Sequence, residues 1–450
     1  MSCKSINNQI SDSREEIKND TIRFLSDDIE AFGQLEDLQK VIYNGDSRTK
    51  KWTNSGENIK ALKSLLVKSG IQNSQADKLI EKNVLNLELP TRYENPISYF
   101  LLKRIQEDVE LSIEKRNLNK IKVGIGTLPY WSLNAKTYNE KDFSLIVANS
   151  GLFNFIYEMT KILLETGNIF VENDKVVIQF SDEVLKEKLN DSPDILVRFS
   201  KALEDYANRR VIRGQSPPTE LQQTILSGMV NSMEFFTIAH EYGHAIYRHK
   251  VIGTTGLGLR SKKNVINESF KVAKNNWEQE VIADLFALTI LEKTLQDKAS
   301  KKDLHFYSLL RTSPELFFNL STIAEESKPI FKDRKRPKSI DINLKDKFLN
   351  SSYKLISGLL NNDKTLRKYL SFNNSLGPNS DNNTFNLNLS HPPDYIRAEY
   401  SGVLMKHSIN QKYEEPYFEE LGNQLSKNLN TIWEIIKPIL IKIIEGEIKD

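Results

Sequence analysis

An α+β fold, predominantly helical with a small sheet, is what this sequence predicts. Three observations carry that expectation. Apolar residues recur at helical spacing through most of the chain. Strand candidates are few and fall together between residues 120 and 180. An apolar helix in the middle carries His240-Glu241-Tyr242-Gly243-His244.

The elements follow in order. Ser26–Tyr43, Asn58–Ser69 and Ser74–Leu85 have helical spacing, with breaks at Asn44-Gly45 and Ser69-Gly70. Pro90 and Pro96 mark a boundary, after which Ile97–Glu114 is amphipathic. Lys120–Thr127 and Phe143–Ala148 are strand candidates, the second leading into a helix over Leu152–Glu165. Phe170–Phe180 contains an Asn-Asp turn and predicts a hairpin. Helices are expected over 183–210, over 219–249 after Ser216-Pro217-Pro218, around Glu280, over 303–324 and over 342–371. Lys328–Ile342 and Ser371–Leu389 are expected loops, the first basic and the second rich in Asn. Three regions result: a helical accessory region over 1–95, a core over 96–300 and a helical C-terminal region over 301–450.

Composition narrows the function classes. The net charge is +2 with heavy use of both signs, so no nucleic acid or other polyanion is implied as partner. A single cysteine, Cys3, forms no internal disulfide and fits a reducing, cytoplasmic compartment. The polar start, Met1–Gln9, has no apolar signal region, and no run of about 18 apolar residues is present. Ile432–Ile444 is the most apolar stretch, interrupted by charges and Pro438. It predicts an amphipathic terminal helix packed on the body. A partner-binding or membrane-surface helix is the sharper alternative, and the N-terminal helices are a second candidate partner surface.

The chemistry centres on His240-Glu241-x-x-His244. Residues i and i+4 share one helix face, so two imidazoles can meet one metal ion. Glu241 between them is placed to act as general base on a metal-bound water. The plain alternative is a pair of hydrogen-bonded core histidines beside a capped glutamate. Catalytic zinc takes three protein ligands and leaves one position open. Tyr247 and Lys250 stand where a metzincin has Gly and His. His249 falls off the ligand face. The remaining option is a glutamate on a later helix. Asn276–Leu291 is such a helix, with Glu280 and Asp284 one turn apart on one face. Glu280 becomes the third ligand to one Zn2+ per chain. Asp284 accepts the free ring N–H of one histidine ligand. Surface carboxylates at a helix start are the alternative, and they explain Glu278 and Glu280 well. They explain Asp284 poorly, because Ile282, Leu285, Phe286 and Leu288 crowd it. Ala283 and Ala287 allow a close approach to the His240 helix. The glycine-rich Gly253–Gly258 between the two helices lacks the Lys of a phosphate loop and is expected to be a connection.

His240-Glu-x-Gly-His244 with Glu280-x-x-Ala-Asp284 resembles the HtpX and CaaX-prenyl-protease type of zinc metallopeptidase, a gluzincin branch. Ser390-His391-Pro392-Pro393-Asp394-Tyr395-Ile396-Arg397 is similar to that family's late Ser-His-Pro-x4-Arg element. Leu133-Asn134-Ala135 and Val147–Leu152 resemble its Asn-Ala strand and its Gly-Leu strand-to-helix turn. The pattern is also similar to Lit-type phage-exclusion and phage-repressor-cleaving peptidases. The resemblance implies a zincin-like catalytic core with helical N- and C-terminal additions. His240, His244 and Glu280 would hold zinc, Glu241 would be the base, and Asp284 would support the ligands. His391 and Arg397 would face the substrate or support the oxyanion and the surroundings of the ligands. Asn134 and Ala135 would lie on an edge strand that pairs with an extended peptide. A rigid His-Pro-Pro turn capping a helix over Asp394–Leu404, with Asp394 as its N-terminal acid, is the alternative for that segment. Membrane members of the family carry long apolar spans that this chain lacks, so membrane substrates are not carried over.

The expected function is zinc-dependent hydrolysis of a peptide bond in an intracellular protein target. A non-catalytic, metal-stabilised scaffold or sensor acting through partner binding is the alternative. A protease with one dedicated target is a third.

Overall fold

The computed structural model describes residues 28–45, 56–68, 72–85, 88–116, 118, 121–139, 143–173, 175–192, 194–210, 212, 218–248, 262–299, 307–331, 394, 397, 398, 400–402 and 416–444. The described chain is mostly helical with a small sheet, as the spacing predicts. Packing groups it into two compact units, Met1–Phe153 and Asn154–Asp450. The expected 342–371 helix, Gly253–Gly258, the basic stretch Lys332–Lys338, the Asn-rich loop and Cys3 lie outside the described residues.

In the first unit, α1 (Asp28–Gly45), α2 (Gly56–Lys68) and α3 (Asn73–Ile80, extended by a π-turn over Glu81–Leu85) match the expected helices. α4 (Pro96–Lys115) begins on Asn95, whose side chain accepts from Ile97 N and Ser98 N, with Pro96 at its first position. β1 (Val123–Leu128), β2 (Ala135–Asn139) and β3 (Ser144–Asn149) form one sheet in the order β1-β3-β2. β1 is parallel to β3 and β2 is antiparallel to it, so β2 is an edge. β3 is buried at five successive positions, Ser144 to Ala148, as a central strand covered on both faces requires.

A polar knot joins α1 to this sheet. Gln39 Nε2 donates to Thr127 O at 2.7 Å and to Glu94 Oε1 at 3.0 Å. Thr127 donates to both oxygens of Glu94 through its backbone N–H and its hydroxyl, and Thr91 donates to Gln39. Burial pushes the Glu94 carboxyl up to about 7 against these hydrogen bonds. Residues that composition sets apart from the core thus share buried contacts with β1.

The second unit takes up α5 (Ser150–Leu164) from its fifth residue. It continues with the β4–β5 hairpin (Asn168–Glu172, Lys175–Gln179). The hairpin turns at Asn173, with φ 50; Asn tolerates this left-handed region better than most residues. The helix expected over 183–210 is two: α6 (Asp182–Asp191) and α7 (Asp194–Ala207). Pro193 explains the break, since it lacks an N–H and disfavours helical backbone at Ser192. Ser192 sits at φ −137, ψ 69. The helix expected over 303–324 also divides, into α10 (Tyr307–Arg311) and α11 (Ser313–Phe331), with Pro314 in the first turn of the second.

Between them lie α8 (Glu220–Ile246) and α9 (Lys262–Ala299), the most extensive helix pair of the unit. α8 starts with a capping box: Gln222 N donates to Thr219 Oγ1, and Thr219 N donates to Gln222 Oε1. The last helix, α12 (Pro416–Ile444), buries Leu421, Leu425, Leu429, Ile432, Ile436 and Leu440 along one face. It packs against α10 and α11, and Trp433 Nε1 donates to Glu326 Oε2 at 2.9 Å. The expected amphipathic terminal helix is therefore seated on the body. Among the described residues, no helix is long and apolar enough to cross a membrane.

α8 also buries Glu234, whose carboxyl burial alone pushes up to about 8. The folded chain keeps its proton after the unfolded chain has lost it. Stability is therefore full below the ordinary value of 4.5 and falls as pH rises toward 8. In that window the slope approaches about 1.4 kcal/mol per pH unit. Glu234→Gln is expected to remove this slope. Urea unfolding at pH 5 and pH 8 checks it: the variant should gain on wild type at the higher pH only.

Candidate metal centre

The site is built where α8 crosses α9. Two turns supply it. His240 and His244 stand one turn apart on α8, and Glu280 and Asp284 stand one turn apart on α9. Between these pairs the helices touch at Gly243 and Ala283. A Cβ added to Gly243 would meet Ala283 Cα at 2.8 Å and its Cβ at 3.2 Å. Only glycine permits that separation, and the separation sets how far the histidines stand from the acids.

The three converging side chains form a triangle. His240 Nε2 lies 3.0 Å from His244 Nε2 and 3.2 Å from one Glu280 oxygen. His244 Nε2 lies 3.3 Å from the other. A tetrahedral ion with ligands at about 2.0–2.1 Å has edges of about 3.3 Å. Separations of this size suit ligand atoms gathered around one such ion. His240 and Glu280 are buried, and His244, with its side chain 13 % exposed, forms the accessible corner. This group can hold a metal ion, and it is the only such group of three or more among the described residues.

Behind the triangle sits Asp284, 0 % exposed. Its Oδ1 is 2.7 Å from His240 Nδ1. Arg397 grips the same carboxylate twice, Nη2 to Oδ1 at 2.6 Å and Nε to Oδ2 at 2.9 Å. Tyr400 donates its hydroxyl to Oδ2. Arg397 lies over the Phe318 ring, 4.4 Å from its centroid. Burial raises the Asp284 carboxyl, but Arg397 and His240 outweigh it and hold the group near 2. Burial lowers His240, and Asp284 with Glu280 overcomes that, raising it to about 10.

These contacts fix what His240 can do. With Nδ1–H donating to Asp284, Nε2 carries its lone pair toward a Glu280 oxygen. Two acceptors facing each other at 3.2 Å attract only through a shared proton or a cation. The raised His240 describes the proton alternative. A metal ion would displace that proton, as ligand deprotonation on metal binding requires.

The structure brings His240, His244, Glu280, Asp284 and Arg397 together, although Arg397 lies more than a hundred residues beyond Asp284 in sequence. Glu241 is buried on α8, next to the first ligand. Arg397 spends its guanidinium on Asp284, the supporting side of its two expected roles. The described residues among 394–402 are helical, and Asp394 accepts from Ser321 Oγ at 2.5 Å. His391 and His249 lie outside the described residues. Asn134 and Ala135 belong to the first unit. There Ala135 opens the edge strand β2, and Asn134 O accepts from Asn149 N at 3.0 Å. Tyr400 and Phe318 join this group without belonging to any motif of the sequence. Tyr400 is three residues beyond Arg397 on a helical segment and therefore shares its face, a signal the sequence carries. Phe318 has none, because it comes from a separate helix.

No family model, no curated protein and no solved structure matches this chain.

Proposed function

We propose that this chain is a zinc-dependent endopeptidase with a zincin-like core, acting on a protein target in the cytoplasm. The supporting observation is the convergence of His240, His244 and Glu280, whose ligand atoms lie close enough together to hold one ion. A zinc ion held there would supply Lewis acidity, polarising water and a substrate carbonyl.

The chain's own residues do the rest. Glu241 takes the proton from the attacking water and delivers it to the leaving amine. Asp284 holds His240 in the tautomer that turns Nε2 toward Glu280. Arg397 and His240 keep Asp284 ionised, and Arg397 and Tyr400 hold it in place. The approach for a substrate is the partly exposed His244 side. His391 remains the candidate for contact with substrate, as the family resemblance implies. Asn134 and Ala135 on the edge strand remain candidates for peptide pairing.

Metal removal tests the reading. Protein dialysed against a chelator should stop cleaving its target, and about one equivalent of zinc should restore cleavage. Cleavage by metal-free protein would overturn the assignment. A second reading, a metal-stabilised scaffold that binds a partner without turnover, is favoured by the burial of two of the three ligands. It expects zinc loss to unfold the second unit and expects no new protein termini in any host.

A further inference from the structure

The three candidate ligands come from α8 and α9, yet the carboxylate behind them is held from a third place in the chain. The described residues from Asp394 to Gly402 are helical, and Arg397, Ala398, Tyr400 and Ser401 are buried. Arg397 and Tyr400 stand three residues apart, on one face, and both donate to Asp284. The same segment reaches α11. Ser321 Oγ donates to Asp394, and the Arg397 guanidinium covers the Phe318 ring. The segment is thus seated on two helices. Its charge-assisted contact is with the carboxylate that orients His240.

One buried group opposes this seat. Ser401 is 0 % exposed, and its Oγ has no hydrogen-bond partner among the described residues. Burying a hydroxyl without a partner is unfavourable, because water would satisfy it. The contacts to Asp284 offset that cost, and a metal ion bears on them directly. An ion on His240 Nε2 would fix the ring with Nδ1–H toward Asp284. The carboxylate is then held where Arg397 and Tyr400 meet it. Without the ion the ring loses that restraint.

We propose that the 394–402 segment is a metal-responsive clamp, docked more firmly on Asp284 when the centre is loaded than when it is empty. Its docking in turn tightens metal binding, and linkage makes the two effects equal in free energy. Arg397 and Tyr400 are positioning residues that act on the ligands through Asp284. The clamp rests on metal binding by His240, His244 and Glu280, the first part of the endopeptidase reading, and needs no hydrolysis.

Hydrogen exchange on the full chain, with zinc and after metal removal by a chelator, tests the clamp. Zinc should slow exchange in peptides covering 394–402 at least about ten-fold more than in peptides covering α7. Equal slowing in both with zinc bound would overturn the proposal, since the ion would then act on the unit as a whole. No slowing in 394–402 would overturn it too. Zinc affinity, read by competition with a chelating dye, is the second arm. Tyr400→Phe keeps the ring and removes one donor, so affinity should fall roughly ten-fold. In that variant the zinc-dependent slowing should shrink in 394–402 and stay as in wild type in α7, which a merely structural tyrosine would not produce. Ser401→Ala removes the idle hydroxyl, so affinity should rise about two- to ten-fold. Wild-type affinity in both variants would overturn the clamp. A chain that binds no zinc overturns the clamp and the endopeptidase reading together. Zinc-dependent hydrolysis with uniform exchange overturns the clamp alone, and clamping without hydrolysis overturns the endopeptidase reading alone.

Discussion

Glu241→Gln is expected to lower peptide hydrolysis by about 10²–10⁴-fold while zinc content and fold stay as in wild type. The carboxamide matches the carboxylate in size, so a residue only 6 % exposed can be exchanged without opening a cavity. What it cannot do is accept a proton. Glu241 is not among the three converging ligands, so the metal should remain. The measurement has two arms. Metal analysis on the purified proteins should give equal zinc. Comparison of new protein termini in cells making wild type or variant should show cuts that depend on wild type alone. Equal zinc with no difference in termini would favour the scaffold reading. Joint loss of zinc and cleavage would make Glu241 a structural residue.

The second large effect belongs to Asp284. Asp284→Ala removes the carboxylate that Arg397 holds bidentately and leaves a buried guanidinium with only its longer contacts to Glu280 at 3.9 Å and Asp394 at 3.8 Å. Breaking a buried pair from one side costs about 3–5 kcal/mol. The same change frees the His240 ring, and loss of such support lowers metal affinity by about 10–100-fold. The two consequences separate in a double variant. Asp284→Ala with Arg397→Leu removes the stranded charge, so much of the stability should return. His240 still lacks its acceptor, so zinc affinity should stay low. Urea unfolding reads the first quantity and competition with a chelating dye the second. Recovery of zinc affinity in the double variant would show that Asp284 acts through stability alone.

The candidate site was largely legible because its parts are local. His240 and His244 are one helical turn apart, as are Glu280 and Asp284, and helical periodicity places each pair on one face. Gly243 and Ala283 could be read as small residues permitting a close approach, and the two do meet at the crossing of α8 and α9. The same local reasoning placed β1, β3 and the hairpin within a few residues. It failed where one residue overrides a periodic run. Pro193 and Pro314 divide stretches whose apolar spacing continues across the break. For Arg397 the sequence leaves two roles open. Whether a guanidinium faces substrate or a buried carboxylate depends on what lies opposite it, and residues over a hundred positions away decide that.

By itself the sequence determined the helical class, the small sheet, and which four side chains could form a metal-binding pair of turns. Those features follow from backbone periodicity and residue chemistry, which act over a few residues. Tertiary structure alone decided that the two turns face each other, with His240 Nε2 and His244 Nε2 3.2 and 3.3 Å from the two Glu280 oxygens. It also decided that Arg397, Tyr400 and Phe318 close around Asp284. The physical reason is the same in each case. A buried charge or lone pair needs a partner, and packing of distant helices determines which one it finds.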